Sequence, residues 1–463
     1  MSEEFLRNRP FAELQVGDTA SLVRSVGRDD IDLFAAVSGD INPAHLDAIF
    51  AATDRFGHIV AHGMWTAALV SAVLGTMLPG PGTIYLGQEL KFLKPVAPGD
   101  TVTATVTVKE KRTEKAIVLL DTACTNQRGE AVLAGTATVI APDRLIEWPR
   151  TRLPDVSLRR HERYETFVKD ARSRPPVPAA IVHPCSPAAI LGAIEVRDEG
   201  LLEPLLIGPE SKIRAAAEAA QVTLDGIAIE AVPHSHAAAA RAVELAAAGR
   251  VAILVKGSLH TDELLEAVLA PGSNLRTERR LSHVYVMDVP AYPKPLIVTD
   301  AAVNIQPTLE HKRDICQNAV DLLRLLGMEE PLVAVLAAVE TVNPKMQATL
   351  DAAALSMMAS RGQITGAKVD GPLAFDNAVS ADAARTKGIV SPVAGRADIL
   401  LVPDLEAGNM LAKQLIYFGG ATAAGLVLGA RVPIVLTSRA DPLSARIASA
   451  ALAKLVAEHK AAP

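Results

Sequence analysis

The first 140 residues carry the hydrophobic patterns of an antiparallel sheet and one buried helix. From Thr101 the run TVTATVTV alternates apolar and polar side chains, which is typical of a strand with one buried face. Apolar runs at 116–123 and 131–140 predict two more strands around an Asn-Gln-Arg-Gly turn. Residues 59–78 contain no Asp, Glu, Lys or Arg, and they predict a buried helix. We therefore expect an α+β domain in which a curved antiparallel sheet wraps around a central helix.

After residue 141 the pattern changes. Residues 141–178 are rich in Pro and Arg and carry only a short polar helix near Tyr164, which predicts a linker. Further along, β-like runs alternate with Ala-rich helical stretches; the runs are 179–183, 204–207, 251–255, 295–299, 333–336, 399–402 and 432–436. This alternation predicts an α/β domain whose parallel sheet binds ligands at the carboxyl ends of its strands. The expected organisation is a domain at 1–142, a linker at 143–178 and a second domain at 179–463.

Composition narrows the possible classes of protein. The chain has 463 residues, of which 49% are hydrophobic, and this is the composition of a globular protein. A formal net charge of −6 and an aromatic content of 3% argue against a nucleic-acid partner. The three cysteines are far apart and lack CxxC spacing, so we expect reduced thiols in the cytoplasm and no metal. We expect no membrane span at 59–78, because no Lys/Arg cluster flanks that stretch and a Pro-Gly-Pro-Gly run ends it.

An acid and an imidazole stand five residues apart in the segment SGDINPAHLD. Asn42 is a natural helix N-cap and Pro43 suits the first helical position, so Asp40 and His45 can face one pocket. The positive end of the helix dipole disfavours an imidazolium, and a neutral His45 can serve as a base. The spacing also fits a purely structural pair, in which Asp40 holds the loop and His45 covers the helix.

The segments GHIVAHGMWTAALVSAVLG (57–75) and YLGQELKFLKPVAPGDTV (85–102) follow this pair. With them, residues 10–140 resemble the hot-dog-fold (R)-specific enoyl-CoA hydratases of the MaoC type. The resemblance implies that Asp40 and His45 activate a water that adds across a trans-2-enoyl-CoA, giving the (3R)-3-hydroxyacyl-CoA. It also makes His62 a substrate-binding candidate. The backbone N–H of Gly63 is our candidate donor to the thioester oxygen, although a glycine there also fits close helix–sheet packing.

A second group of polar residues follows the apolar run near the carboxyl end, in LTSRADP. Ser438 and Arg439 stand at a strand end, where they would face a ligand crevice, and arginine can hold a phosphate through two parallel hydrogen bonds. Asp441 precedes Pro442, so it also fits a helix N-cap.

Six more segments accompany this loop: KGSLHTDELLEAVL (256–269), NLRTERRLSHVYVMDVP (274–290), LIVTDAAVNIQPTLEHK (296–312), LAAVETVNPKMQATLDA (336–352), VDGPLAFDNAVS (369–380) and SPVAGRADILLVPDLEAGNMLAKQLIYFGG (391–420). Residues 160–463 thereby resemble the phosphate acetyl- and butyryltransferases, which have two α/β subdomains and need no metal. The resemblance implies that Ser438 and Arg439 contact substrate and CoA sulfur, and that Asp441 takes the thiol proton. Arg276 is expected to assist Arg439.

Five further polar residues stand on loops after the predicted strands and are expected to line the cleft: Asp300, Asn304, Asp370, Asp404 and Asn409. Each of them also fits a loop-stabilising role.

One difference from the phosphate butyryltransferases bears on whether the transferase domain is active. Where those proteins carry an arginine, this chain has Glu266. A catalytically silent, acyl-CoA-sensing transferase domain is therefore the alternative to an active one. Both halves point to acyl-CoA thioesters, so we expect a bifunctional enzyme with no permanently bound cofactor, assembled as a homo-oligomer of dimers.

Overall fold

The computed structural model describes residues 5–153, 156, 158, 162–436 and 442–461. The chain divides into two compact units, Met1–Leu158 (unit 1) and Arg159–Pro463 (unit 2). The elements of unit 1 are β1 (Phe5–Arg7), β2 (Thr19–Ser25), α1 (Arg28–Ser38), α2 (Pro43–Leu46), α3 (Ala48–Thr53), α4 (Gly63–Thr76), β3 (Ile84–Phe92), β4 (Thr101–Arg112), β5 (Ile117–Thr125), β6 (Ala131–Ile140) and β7 (Glu147–Pro149).

Five strands of unit 1 form an antiparallel sheet in the order β2-β4-β5-β6-β3. The alternation predicted from Thr101 is present in β4, where Val102, Ala104, Val106 and Val108 are buried and the threonines between them are half-buried. This apolar face packs against α4, whose buried side chains include Val70 and Val73. The predicted α+β architecture is therefore confirmed for unit 1.

Helix α4 is shorter at its start than the uncharged stretch 59–78 suggested. It begins at Gly63, and His62 is its N-cap rather than an internal residue. The backbone before the helix forms a hydrogen bond to another segment: the N–H of Ala61 donates to the carbonyl of Val96 at 2.7 Å. The uncharged stretch 59–78 therefore includes four residues before α4 as well as the helix itself.

Unit 2 alternates strands and helices. Its elements are α5 (Glu162–Arg172), β8 (Val177–Val182), α6 (Pro187–Asp198), β9 (Leu202–Gly208), α7 (Glu210–Ala219), β10 (Ala228–Ala231), α8 (Ser235–Ala247), β11 (Ile253–Lys256), α9 (Thr261–Leu269), β12 (Ser282–Asp288), β13 (Leu296–Thr299), α10 (Leu309–Leu325), β14 (Leu332–Leu336), α11 (Gln347–Ser360), β15 (Lys368–Leu373), α12 (Phe375–Val379), α13 (Ala381–Thr386), β16 (Ile399–Leu401), α14 (Leu405–Tyr417), β17 (Thr422–Leu428), β18 (Ile434–Val435) and α15 (Leu443–Ala461).

These strands form one eleven-stranded sheet in the order β10-β9-β8-β11-β18-β17-β12-β13-β16-β14-β15. Strands β10, β9, β8, β11 and β18 are mutually parallel, as are β13, β16, β14 and β15. Between the two sets, β17 and β12 are antiparallel to each other and to their outer neighbours. The α/β prediction is confirmed, but the sheet is mixed, and its two parallel sets run in opposite directions.

Strand direction defines two edges of this sheet. Strands β8, β11 and β18 end at the edge that carries Lys256, and we call it the Lys256 edge. Strands β13, β16 and β17 end at the other edge, next to Asp300, and we call it the Asp300 edge.

The described part of the segment predicted as a linker contains β7, α5 and the start of β8. Strand β7 pairs with β1 in unit 1, and α5 packs against α15 in unit 2. The predicted boundaries at 142 and 178 stay predictions. Among the described helices, none is both long and apolar enough to cross a bilayer.

Candidate active sites

The helix that carries His45 is a single turn. Asn42 caps α2 by accepting a hydrogen bond from the backbone N–H of Ala44 at 3.1 Å, and Pro43 takes the first helical position, which confirms both predictions. However, α2 has only four residues and His45 lies in its last turn. The helix-dipole argument for a neutral His45 is therefore wrong, because the imidazole does not stand at the positive end of a long helix.

A backbone carbonyl orients the His45 ring instead. Its Nδ1 lies 2.7 Å from the carbonyl oxygen of Val60. A carbonyl can only accept a hydrogen bond, so Nδ1 carries the proton and donates. In the neutral ring, Nε2 is then left with a free lone pair. This tautomer suits a general base that takes a proton from water.

A second imidazole lies directly against the first. The His62 and His45 rings have centroids 3.9 Å apart and planes tilted by 36°, and Phe34 covers His62 at 5.1 Å. The side chain of His62 is buried, and its Nε2 donates to the backbone carbonyl of Asp40 at 3.0 Å. Its Nδ1 is also buried and has no hydrogen-bond partner among the described residues.

The carboxylate of Asp40 completes the cluster. Asp40 is exposed, and its Oδ1 accepts a hydrogen bond from the N–H of Asn42 at 3.2 Å. One side-chain oxygen or nitrogen from each of Asp40, His45 and His62 lies within 4.8 Å of the others. An anionic acceptor and two imidazoles therefore converge on a space that can hold one small polar molecule. We call these three residues the Asp40 cluster.

Gly63 stands at the first position of α4, next to this cluster. Backbone N–H groups in the first turn of a helix have no acceptor within the helix, so the N–H of Gly63 can bind an oxyanion. A Cβ atom built at Gly63 would lie 3.0 Å from the Phe92 ring. The close-packing explanation for this glycine therefore has direct support, and its role as a donor stays a prediction.

An open groove of about 780 Å³ extends from the region of the cluster. It lies between α1, α4 and β3, and its walls include Phe34, which covers His62, and Met64, which follows Gly63. Leu90 and Phe92 supply apolar surface from β3. This groove could not be found from local sequence patterns, because its walls come from three separate segments.

The SRAD loop of unit 2 cannot be placed. Ser438, Arg439 and Asp441 lie outside the described residues. The chain enters this segment from β18, at the Lys256 edge, and the next described residue is Pro442.

Two of the predicted cleft residues form a buried network at the Asp300 edge. Asp300 and Asn304 are each 2% exposed, and Asn304 Nδ2 donates to Asp300 Oδ2 at 2.5 Å. Asp300 Oδ1 accepts from the N–H of Ala302 at 2.9 Å, and Arg280 donates to Asn304 Oδ1. His283 lies nearby; burial lowers its pKa to about 4, although the negative charge of Asp300 acts in the opposite direction.

The other predicted residues of unit 2 are spread along the same side. Asp404 caps α14, and Asn409 donates to the carbonyl of Ala301 at 3.2 Å. Asp370 lies within β15 and accepts from the next N–H at 2.9 Å. Arg276 is exposed, and its backbone forms an isolated bridge next to the end of β17. The expectation that all five residues stand on loops is therefore wrong for Asp370, which lies in β15, and for Asn409, which lies in α14. Their roles in substrate binding stay predictions.

Sequence reasoning did not select the polar residues at the Lys256 edge as site residues. Lys256 is half-buried at the end of β11, and Ser258 Oγ donates to Ser186 Oγ at 2.9 Å. Nδ1 of His183 is buried and has no hydrogen-bond partner among the described residues. Burial, helped by the positive charge of Lys212, lowers the pKa of His183. The sequence signal for this group was Lys-Gly-Ser directly after a β-like run.

Unit 2 also contains two cavities, of about 950 and 710 Å³, which both contact Met328 and His459. The larger one is lined by Arg279 and Arg324 together with acidic Asp321. None of the predicted site residues that the structure describes lines either cavity.

Comparison with known proteins finds a match to a family model within each unit. Residues 13–126 match the model of the MaoC-like domain, and residues 230–454 match that of the phosphate acetyl/butaryl transferases. The phosphate acetyltransferase of Rhizobium meliloti is 56% identical over 300 residues, which are 65% of this chain and 95% of that protein. The fold and these matches define an acyltransferase preceded by a MaoC-like hot-dog domain. The chain belongs to the phosphate acetyl/butyryltransferase family.

Solved structures resemble each unit separately. A branched-chain phosphotransacylase from Enterococcus faecalis V583 is 32% identical; the match covers 60% of this chain and 99% of that one, with a TM-score of 0.55. The unliganded R-hydratase PhaJ1 from Pseudomonas aeruginosa is 46% identical; the match covers 33% of this chain and 99% of that one, with a TM-score of 0.32. Both resemblances inferred from the sequence motifs are confirmed.

Proposed function

We propose that the chain is a bifunctional acyl-CoA enzyme. Unit 1 hydrates trans-2-enoyl-CoA to (3R)-3-hydroxyacyl-CoA, and unit 2 transfers an acyl group reversibly between CoA and inorganic phosphate. The observation that carries the first activity is the geometry of the Asp40 cluster, in which Nδ1 of His45 is held by Val60 O and one side-chain oxygen or nitrogen of each residue lies within 4.8 Å of the others. The three cysteines are free, which fits a reducing cytoplasm and a protein without disulfides.

Hydration needs one proton taken from water and one delivered to carbon. A water held by Asp40 and His45 loses a proton to one of them as its oxygen bonds to C3 of the enoyl group. The electron pair of the double bond moves towards the thioester oxygen, where the N–H of Gly63 would stabilise the negative charge. Protonation at C2 then completes the product. Pairs of acid/base groups of this kind typically contribute factors of about 10²–10⁴ each.

The open groove beside α4 suits the acyl chain. Its walls carry Met64, Leu90 and Phe92, so an acyl chain lying there would bury apolar surface on both sides. The thioester would then stand between Gly63 and the Asp40 cluster. Acyl-chain length would be set by how far the groove continues along β3.

A homodimer is the proposed state of unit 1. Strand β3 lies at the edge of the sheet and pairs only with β6 among the described strands. It also exposes large apolar side chains, including Ile84 (57%), Leu86 (52%) and Phe92 (53%). An unpaired edge strand with exposed apolar residues favours association with a second copy. Such a dimer would also cover the open side of the groove.

For unit 2, phosphate attacks the thioester carbonyl, an acyl phosphate forms and the CoA thiolate leaves. Ser438 and Arg439 are proposed to stabilise the charge on phosphate and carbonyl oxygen, and Asp441 to exchange the thiol proton. Strand β18, the described element that precedes these three residues, ends at the same edge as Lys256 and Ser258, and this supports a site near that edge.

A sensor domain without transferase activity is the alternative, and it rests on Glu266. This residue lies on α9 with an exposed side chain. Solvent screens the charge of an exposed carboxylate, so Glu266 gives no structural reason to expect an inactive domain.

The hydratase is tested with crotonyl-CoA and purified full-length protein. Asp40→Asn and His45→Gln should each lower kcat/KM by about 10²–10⁴, while phosphate-dependent CoA release stays normal. Asp47→Asn and His58→Gln are the matched controls, because both residues are exposed and lie outside the cluster. Wild-type rates in the Asp40 and His45 variants would refute the proposed site.

The transferase is tested with acetyl-CoA or butyryl-CoA and phosphate. Ser438→Ala and Arg439→Ala should each abolish most CoA release and leave hydration of crotonyl-CoA unchanged. Wild-type protein that binds acetyl-CoA and changes its hydratase rate, yet releases no CoA with phosphate, would refute transfer and favour the sensor.

A further inference from the structure

Each imidazole of the Asp40 cluster is held by a backbone carbonyl through one nitrogen and keeps the other nitrogen available. Val60 O accepts from His45 Nδ1 at 2.7 Å, and Asp40 O accepts from His62 Nε2 at 3.0 Å. The available nitrogens are therefore His45 Nε2 and His62 Nδ1. Histidines that bind metals are oriented in this way, with the N–H opposite the metal donated to a carbonyl or carboxylate.

The hydration mechanism uses Asp40 and His45 and gives His62 no chemical step; the role of His62 in substrate binding stays a prediction. Nδ1 of His62 is a buried nitrogen with no hydrogen-bond partner among the described residues, and the whole residue is only 2% exposed. A buried acceptor without a partner destabilises the folded protein, because it loses its hydrogen bond to water and gains none in return. A bound cation would satisfy it.

The donor set matches a particular class of ion. Two imidazole nitrogens and one carboxylate oxygen suit first-row divalent ions such as Zn²⁺ and Co²⁺. Three protein ligands with an open fourth position are common at zinc sites that also hold water. One side-chain oxygen or nitrogen of each residue lies within 4.8 Å of the others, and metal–ligand bonds of about 2.0–2.1 Å would require ligand atoms about 3.4 Å apart. Asp40 can adjust to this spacing, because its side chain is exposed.

We propose that Asp40, His45 and His62 bind a divalent transition-metal ion, with Zn²⁺ as the probe, and that the bound ion reversibly inhibits hydration. The ion takes the lone pair of His45 and the carboxylate of Asp40, so neither group can accept a proton from water. The inhibition rests on the proposed hydratase activity, whereas metal binding does not depend on it.

Metal binding is measured on full-length protein treated with a chelator and then dialysed. Zn²⁺ titration by calorimetry should detect a site that His62→Gln weakens about 100-fold or more. The visible absorption bands of bound Co²⁺ should weaken in the same variant. His58→Gln is the matched control, since His58 is an exposed histidine of unit 1 outside the cluster, and it should bind as the wild type does.

Asp40→Asn gives an independent test, because an exposed side chain can be replaced without disturbing the core. It should weaken Zn²⁺ binding in the same direction as His62→Gln. Equal Zn²⁺ affinity and stoichiometry in the wild type and Asp40→Asn would overturn the proposed site, even if the His62 variant failed to fold.

Inhibition is measured separately with crotonyl-CoA. Metal-free protein should hydrate it, Zn²⁺ should stop the reaction, and chelator should restore it. Zinc that binds at the cluster without slowing hydration would overturn the inhibitory role. Metal-free protein that binds Zn²⁺ at the cluster but never hydrates crotonyl-CoA would refute the proposed hydratase and leave the metal site supported.

Discussion

A buried ion pair between α10 and α11 gives a quantitative test of the fold of unit 2. Lys312 Nζ lies 2.7 Å from Asp351 Oδ2, and the two side chains are only 6% and 7% exposed. The other carboxylate oxygen accepts from Gln347 Nε2 at 2.8 Å. Lys312→Met would remove the cation and leave a buried carboxylate with one neutral donor. We expect a loss of about 3–5 kcal/mol in the free energy of unfolding.

The two tryptophans make this loss measurable in one unit at a time. Trp65 and Trp148 both lie in unit 1, so tryptophan fluorescence reports unit 1, whereas far-ultraviolet circular dichroism also reports the helices of unit 2. Lys312→Met should lower the melting temperature of unit 2 by roughly 5–15 °C and leave the fluorescence transition unchanged.

Two further variants complete the experiment. Lys312→Met combined with Asp351→Leu should recover most of the stability, because no buried charge is left unpaired. Lys368→Met is the matched control: its ion pair with Glu330 is half exposed on both sides, so the expected loss is only about 0–1 kcal/mol. A Lys312→Met protein as stable as the control would refute the reasoning, and so would a parallel shift of the fluorescence transition.

Two more predictions concern pH and packing. The pKa of buried His283 is lowered to about 4 from an ordinary value of 6.5, so the unfolded chain takes up this proton first as the pH falls. Unit 2 should therefore lose stability as the pH falls from 6.5 towards about 4, and His283→Phe should flatten that dependence in denaturant titrations; an unchanged slope would contradict it. In unit 1, a Cβ added at Gly135 would lie 1.9 Å from the backbone oxygen of Glu89. Gly135→Ala should thus separate β6 from β3 and lower the fluorescence melting transition, while CoA release persists; a normal transition would show that the sheet tolerates the methyl group.

The strands that could be predicted were those with a continuous apolar run. All seven runs proposed for the α/β region are strands, because each is fully or largely buried. Four described strands of unit 2, β10, β12, β15 and β17, were missed. Strand β12 buries polar Ser282 and His283, and β17 begins with Thr-Ala-Ala-Gly, so neither begins with a run of large apolar residues. These two strands join the sheet's oppositely directed sets, so the mixed topology was missed with them.

The part of the Asp40 cluster that could be predicted is the part formed by residues close in sequence. Asp40 and His45 are close in sequence, so one helix start was enough to place them together. The carbonyl that orients His45 comes from Val60, and the second imidazole comes from His62; both depend on the chain returning before α4. The hydrophobic pattern of the sequence contains no signal for such a return of the chain. The groove depends in the same way on side chains from three elements.

The position of β18 has a consequence for how the protein is made. This strand, close to the carboxyl end, lies between β11 and β17, and α15 packs on α5 and α6 from the start of unit 2. Unit 2 therefore cannot close its sheet until β18 and α15 have been synthesised, whereas the last described strand of unit 1 ends at Pro149. A message truncated before β18 would thus yield a folded hot-dog module attached to an incomplete acyltransferase.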